Sequence, residues 1–329
     1  MHPCALLSQR SHLLGVGTYG IVFAVGSAVA VKVSRKASGC GEEFANEQKT
    51  YQVLGRNKSP YILPYFVLIP GQATFLLRAK SDLRAVLQSP QYTFQREQGV
   101  RWMAQICAGV AFMESQGYAH GDLRPGNILM DAHGNMRLFD LGSALPIGGA
   151  RLVGTEPFAR QLTREEMQDG SVHYGEAGPR SETFALGSIW YSILRGHYPG
   201  QEEGKDGKDG SIKLRPGDNP EERRQYRLAR RAAFREKRFP ALDLEGSADD
   251  QIVHRCWHGQ YATVAALEQE FRGGCGSCGG RDGADGGGSP EWYRFEGESD
   301  EYLAEQEREC TAWVAGGGLD TLPTPFNRN

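Results

Sequence analysis

The chain has 329 residues, 40% of them hydrophobic, and a formal net charge of −3. That length is a prior for about two domains with room for a sizeable core. The charge balance argues against a generally basic nucleic-acid binder, so no nucleic-acid partner is expected. No apolar run reaches membrane-spanning length, and no membrane partner is expected either. Seven cysteines, scattered apart from Cys275 and Cys278, suit a reducing compartment better than a disulfide framework. The short apolar patch Ala5-Leu6-Leu7 has no n-region before it and is not read as a signal peptide. A cytoplasmic location, or a nuclear one, is the expectation.

Leu13-Leu14 leads into Gly15-Val16-Gly17-Thr18-Tyr19-Gly20-Ile21-Val22-Phe23, which reads as strand, glycine turn, strand. Glycines there let backbone N–H groups approach phosphate oxygens with no Cβ in the way, although a plain glycine hairpin looks the same. A dinucleotide fingerprint would need a helix straight after the last glycine. The β-branched run from Ile21 to Val25 predicts a strand instead. Ala28 to Val33 is a third apolar strand, carrying one lysine, Lys32. A charge in such a run is costly unless it is paired or reaches water at a sheet edge. After a break at Gly39-Cys40-Gly41, a helix is predicted over Glu42 to Leu54, with Phe44, Tyr51 and Leu54 on one side and Gly55 as its stop. Glu47, one turn before Tyr51, is placed to meet Lys32. Glu42 and Glu43 compete for that role, but acids at a helix start are favoured by the dipole alone.

Ile62 to Pro70 and Ala73 to Leu77 form a predicted hairpin around Pro70-Gly71-Gln72. Arg78 to Ser81 then connects a small strand-rich lobe, residues 1–77, to a larger helical one, residues 78–272, with helix resuming at Asp82. Val100, Met103, Ile106, Cys107, Val110 and Met113 follow helical spacing and are expected in the core, with Gly117 closing their helix.

Next comes His120-Gly121-Asp122-Leu123-Arg124-Pro125-Gly126-Asn127-Ile128-Leu129. It sets one carboxylate and one carboxamide five residues apart, just before apolar residues. Phosphoryl transfer needs such a pair, one group for the attacking hydroxyl and one for the metal. A strand over Asn127 to Met130, a turn over Asp131 to Asn135 and a return strand over Met136 to Phe139 carry the chain to Asp140-Leu141-Gly142. The hairpin sets Asp140 beside Asn127, and two oxygen ligands at one mouth suit Mg²⁺. From Gly273 to Gly288 nine of sixteen residues are glycine. Such a segment lacks the apolar burial that ordering requires, so the globular part is expected to end near Phe271 and residues 273–329 to be a flexible linker and tail.

In this order and spacing, from about Leu13 to Phe271, the chain resembles the eukaryotic-type protein kinases, whose signature set it matches part by part. Gly15, Gly17, Gly20 and Val22 match the Gly-rich loop, with Val16 a further cofactor-binding candidate in it, and Ala30-Val31-Lys32 the third-strand lysine motif. Glu47 matches the helix glutamate, His120, Asp122 and Asn127 the catalytic loop, and Asp140-Leu141-Gly142 the metal-binding triplet. Gly154-Thr155-Glu156-Pro157-Phe158 resembles the end of the activation segment, Ser181 to Gly187 the start of the large buried helix, and Arg255-Cys256-Trp257 a late helical element. The Phe184-Ala185-Leu186-Gly187-Ser188 run and Cys256-Trp257-His258-Gly259 resemble stretches of kinase-like proteins of filamentous fungi.

The resemblance implies an α+β, bilobal protein kinase-like fold with a small β-rich N-lobe and a larger, mainly helical C-lobe. It implies an ATP- and Mg²⁺-dependent kinase acting on Ser/Thr hydroxyls of protein substrates. Lys32, paired with Glu47, would position the α- and β-phosphates. Asp122 would be the catalytic base, with Arg124 beside it in place of the usual lysine. Asn127 and Asp140 would hold magnesium. Val22, Ala30 and Leu129 would sandwich the adenine, the glycine loop would cover the phosphates, and Asp82 is the candidate for the ribose.

Several residues depart from the pattern. Gly121 stands where many kinases have the arginine that gathers a phosphorylated activation loop, so activity is expected not to depend on that phosphate. Glu182 replaces an aspartate. The segment from Arg160 to Arg180 is long and has no Ala-Pro-Glu, which leaves Glu156, Glu165 and Glu176 as candidate partners of Arg255. Two other functions stay open: a pseudokinase scaffold, and a small-molecule phosphotransferase of the aminoglycoside or choline kinase type, which Gly121 suits. The eight Lys/Arg between Glu221 and Arg238 read as a solvated helix, and Cys275 and Cys278 as a reduced, unliganded pair. The aromatic tail, with Trp292, Tyr293, Phe295, Tyr302 and Trp313, either folds back onto the C-lobe or docks a partner.

Overall fold

The alternating apolar pattern of the first eighty residues becomes sheet, and the longer helical periods that follow become packed helices. The structure, a computed structural model, describes residues 12–17, 19–35, 41–55, 58–150, 154–167, 174–201, 220–273 and 298–322. In chain order its elements are β1 (His12–Val16), β2 (Gly20–Val25), β3 (Val29–Ser34), α1 (Gly41–Leu54), β4 (Tyr65–Ile69), β5 (Ala73–Leu77), β6 (Ser81–Asp82) and α2 (Leu83–Leu87). There follow α3 (Arg96–Ser115), β7 (Tyr118–Ala119), β8 (Ile128–Met130), β9 (Met136–Leu138), β10 (Leu145–Pro146), α4 (Pro179–Arg195), α5 (Pro220–Arg235), α6 (Ala248–His258), α7 (Val264–Arg272) and α8 (Asp300–Ala315). The glycine-rich run and its Cys275–Cys278 pair, with Trp292, Tyr293 and Phe295, lie outside the described residues.

Two compact units form. One comprises Met1–Lys80, Leu129–Ala144 and Phe295–Asn329, the other Ser81–Ile128 and Leu145–Arg294. The strand-rich first unit and the helical second unit are the two lobes expected of a bilobal kinase fold. The membership differs from the expected boundaries in two places. Leu129–Ala144, with Asp140 and most of the β8–β9 hairpin, assigned from sequence to the larger lobe, belongs to the first unit, and so does α8, assigned to a flexible tail.

In the first unit, five strands pair antiparallel in the order β1-β2-β3-β5-β4. Lys32 stands opposite Val22 and Thr74, and Val31 opposite Phe23 and Phe75. Successive side chains alternate between faces. One face therefore carries Val22, Ala30, Lys32 and Thr74, the other Phe23, Val31 and Phe75. Both are covered along β3, where Val31 is 0% and Lys32 4% exposed, which is why Ala28 to Val33 reads as a continuous apolar run. Helix α1 buries Phe44, Glu47, Gln48, Tyr51 and Leu54 along one stripe. The Gln48 amide donates to the carbonyls of Ile69 and Ala73 and accepts from Gly71 N–H, which ties the β4–β5 turn to the helix.

Helix α8 corrects the flexible-tail expectation. Ser299 caps it by accepting from Tyr302 N–H, and Asp300 and Glu301 occupy its first turn. Its Trp313 ring meets Phe75 edge-on at 5.6 Å between centroids. Phe75 lies on the sheet face opposite Lys32, so the chain folds back onto the small unit. Just before α8, Glu298 pairs at 2.6 Å with buried Arg137, which also binds Asp131 at 3.0 Å.

In the second unit, α3 packs on α4 and α7, and α4 on α6. Val100, Met103, Ile106, Cys107, Val110 and Met113 are all buried, as their spacing predicts. Gly187 has no Cβ because α6 passes too close, with Cys256 occupying that space. Helix α5 is not the solvated helix expected: Tyr226, Arg230, Ala233 and Phe234 form a buried stripe at helical spacing.

Candidate active site

The first unit assembles one group of charged side chains. Lys32 Nζ lies 2.5 Å from Glu47 Oε2 and 2.7 Å from Asp140 Oδ1. Glu47 is 1% exposed, whereas Glu42 is exposed and Glu43 half-buried at the helix start. Burial pulls the Lys32 ammonium down, but the Glu47 and Asp140 carboxylates outweigh it and raise it to about 12. Gly20 is set by this lysine: a Cβ there would lie 3.0 Å from Lys32 Cγ. Asp140 adopts φ 62°, ψ 62°, a left-handed conformation uncommon for a non-glycine residue and concentrated at functional sites. Asn46 of α1 holds the segment after it, donating to the carbonyls of Gly142 at 2.9 Å and Ala144 at 2.8 Å.

The glycine loop joins β1 to β2. Gly17 N–H donates to the Gly20 carbonyl at 2.8 Å, and Thr18 lies outside the described residues. Nothing stands within 4 Å of a Cβ placed on Gly15, and Val16 is 60% exposed. Val22 and Ala30 share the Lys32 face, while Leu129 is half-buried on β8.

The second unit assembles another group. A 3-10 turn over Pro125–Asn127 brings Asn127 back on Asp122. Asp122 Oδ2 accepts from Arg124 Nε and from Asn127 Nδ2, each at 2.9 Å, and its Oδ1 accepts from the Thr155 hydroxyl at 2.9 Å. Asn127 Nδ2 also donates to the Asp122 carbonyl at 2.9 Å. With its nitrogen spent on Asp122, the amide presents Asn127 to a metal through oxygen. A carboxamide and a carboxylate are the hard donors that Mg²⁺ takes. Gly126 makes room for Arg124, since a Cβ would lie 2.8 Å from Arg124 Nη1. Buried Glu182, with its longer side chain, accepts the His120 N–H at 3.0 Å and so steadies the loop. Gly121 has φ +82°, which favours glycine. Asp82 caps α2 by accepting from Ala85 N–H at 2.7 Å and pairs with Arg84 at 3.0 Å.

None of the three candidates pairs with Arg255. Its partners are Glu270 and the Tyr261 hydroxyl, both local to α6 and α7. Glu165 and Glu176 are exposed, and Glu156 pairs with Arg231 at 2.7 Å. Sequence reading missed Asn46, Gln48 and Gly126. Gln48 carried a signal, a polar residue four positions after Phe44 in the buried stripe of α1, while Gly126 read only as a loop glycine.

The family model described as "Protein kinase domain" matches residues 8–227. Cyclin-dependent kinase 20 of Pongo abelii is 27% identical over 205 residues, 58% of each chain. The serine/threonine-protein kinase MRCK gamma of Mus musculus is 29% identical over 127 residues, 37% of this chain and 8% of that protein. CBL-interacting protein kinase 8 of Oryza sativa subsp. japonica is 35% identical over 103 residues, 31% of this chain and 22% of that protein. The chain thus spans 58% of the cyclin-dependent kinase 20 sequence. With the matched segment covering both charged groups and most of the chain, this protein belongs to the protein kinase family.

Proposed function

We propose that the chain is a Ser/Thr protein kinase, transferring the γ-phosphoryl of ATP to hydroxyls of protein substrates with Mg²⁺ as cofactor. The observation that carries this reading is the Thr155 hydroxyl donating to Asp122 Oδ1 at 2.9 Å, the reach a general base needs toward an alcohol. Asp122 accepts or orients the proton of the substrate hydroxyl, and Arg124 and Asn127 hold its carboxylate in place. Lys32, kept charged and fixed by Glu47, positions the α- and β-phosphates. Gly15, Val16, Gly17 and Gly20 give the phosphates backbone N–H groups, and Val22, Ala30 and Leu129 give the adenine apolar surface. Asn127 and Asp140 would each offer Mg²⁺ an oxygen ligand, and the metal would offset the charge of the phosphates. The cytoplasm or nucleus is the proposed location, in keeping with the buried thiols of Cys107, Cys256 and Cys310.

Gly121 offers no side chain to gather a phosphorylated loop, so turnover survives phosphatase treatment. In one assay with ATP, Mg²⁺ and generic protein substrates, Asp122→Asn lowers turnover by roughly 10²–10⁴ while ATP binding persists. A wild type that binds ATP but transfers nothing would favour the scaffold reading. Transfer to aminoalcohols in preference to proteins would favour the small-molecule one.

A further inference from the structure

We propose that the basic helix α5 anchors the segment that presents the peptide hydroxyl to Asp122, with Arg231 as its positioning residue. The proposal rests on the protein kinase reading above. Glu156 directly follows Thr155, and a web of donors fixes it. Its carbonyl accepts from Arg230 Nη2 at 3.0 Å. Its Oε1 accepts from Arg231 Nε at 2.8 Å, from the Tyr174 hydroxyl at 3.0 Å and from Gln161 Nε2 at 3.2 Å. Arg231 Nη2 completes the web by donating to the Tyr174 hydroxyl at 2.7 Å. A planar guanidinium fork reaches both oxygens at once, which a lysine ammonium does less well.

The helix that carries Arg231 is packed into the second unit. Arg230 is 7% exposed and donates to the Tyr226 hydroxyl at 3.2 Å, and Tyr226 donates to the Gly200 carbonyl at 3.2 Å. Phe234 packs edge-on against Phe184 and Trp257, at 6.4 and 6.5 Å between centroids. Downstream of Glu156, the N–H groups of Phe158 and Ala159 donate to the Thr155 carbonyl at 3.0 and 2.9 Å. Thr155 is therefore held from both sides, by Asp122 through its hydroxyl and by the α5-bound turn through its backbone. Arg255 is spent on Glu270 and Tyr261, so α5 takes over the grip on this segment.

The test compares wild type, Arg231→Gln and Arg231→Lys by two readouts: steady-state kinetics with a Ser/Thr protein substrate, and amide hydrogen exchange at Phe158 and Ala159. Losing a hydrogen bond to a charged group corresponds to roughly a tenfold to hundredfold change. In Arg231→Gln the substrate KM rises by that factor, ATP affinity stays unchanged, and both amides exchange faster. Arg231→Lys recovers part of each effect. An unchanged substrate KM, unchanged exchange at the two amides, or a parallel fall in ATP affinity would overturn the proposal. A wild type that transfers no phosphate defeats the kinase reading instead. Exchange then decides the anchor alone: faster in Arg231→Gln supports it, unchanged overturns it.

Discussion

Lys32 in the first unit and Asp122 in the second are each held by charged neighbours, yet in opposite surroundings. The Lys32 side chain is 5% exposed and that of Glu47 1%, whereas those of Asp122 and Arg124 are 21% and 30% exposed. Burial turns Lys32 and Glu47 into part of the core. Removing the Lys32 ammonium leaves the buried Glu47 carboxylate uncompensated, which costs far more than the pair contributes net. Asp122 and Arg124 keep contact with solvent, which replaces a lost partner cheaply. The Lys32–Glu47 pair is thus tied to folding, and Asp122 with Arg124 can change chemistry at little cost in stability.

The sharpest way to break this contrast is at Lys32. Lys32→Met lowers stability by about 3 kcal/mol, read from urea midpoints, whereas Asp122→Asn costs under about 1 kcal/mol. Pairing Lys32→Met with Glu47→Leu recovers much of the loss while abolishing turnover. If the single and double replacements were equally destabilising, the buried-charge account would be wrong. A smaller effect is expected at Gly126. In Gly126→Ala the new Cβ displaces the mobile end of Arg124, so turnover falls roughly tenfold, as for a lost charge-assisted hydrogen bond. Unfolding midpoint and ATP affinity hold in that variant. Equal activity would mean that Arg124 does not need its present place beside Asp122.

Acid separates the units most gently. Lys32 is raised to about 12, so its contribution is complete below its ordinary 10.5 and is lost only as pH rises through about 12. The ammonium itself stays charged on acidification. His254 of α6 behaves oppositely: burial, then the charges of His258 and Arg255, lower it below 6.5, and the His258 ring stacks at 4.0 Å. The unfolded chain therefore binds a proton as pH falls through 6.5 before the folded one does, and stability drops. Urea midpoints at pH 7.5 and 5.5 fall further for wild type than for His254→Gln. Identical falls would remove His254 as a source.

Much of the site was legible because its residues sit at spacings fixed by local backbone. The glycine loop, the lysine on a two-sided strand, Glu47 on the buried stripe of a helix, and the Asp122–Asn127 pair in one turn are all short-range patterns. The tail was not legible. Leu303, Gln306 and Cys310 make a thin, partly polar stripe, and its meaning depends on a sheet face formed more than two hundred residues earlier. The basic run of α5 misled for a related reason. Arginine reads as surface from composition, yet Arg230 is buried with its two terminal nitrogens donating to the Tyr226 hydroxyl and the Glu156 carbonyl.

The sequence by itself determined the two lobes and the strand-to-helix order, because hydrophobic period acts over one or two turns of chain, and its resemblance to the protein kinases named the phosphate, base and metal candidates. Only the tertiary structure decided that Glu47 rather than Glu42 or Glu43 meets Lys32, and that Arg255 turns to Glu270 and leaves Glu156 to Arg231. It alone also decided that α8 closes the back of the sheet. Those choices turn on which charges can be desolvated together and which apolar faces remain to be covered, and both are settled by contacts between segments distant in the chain.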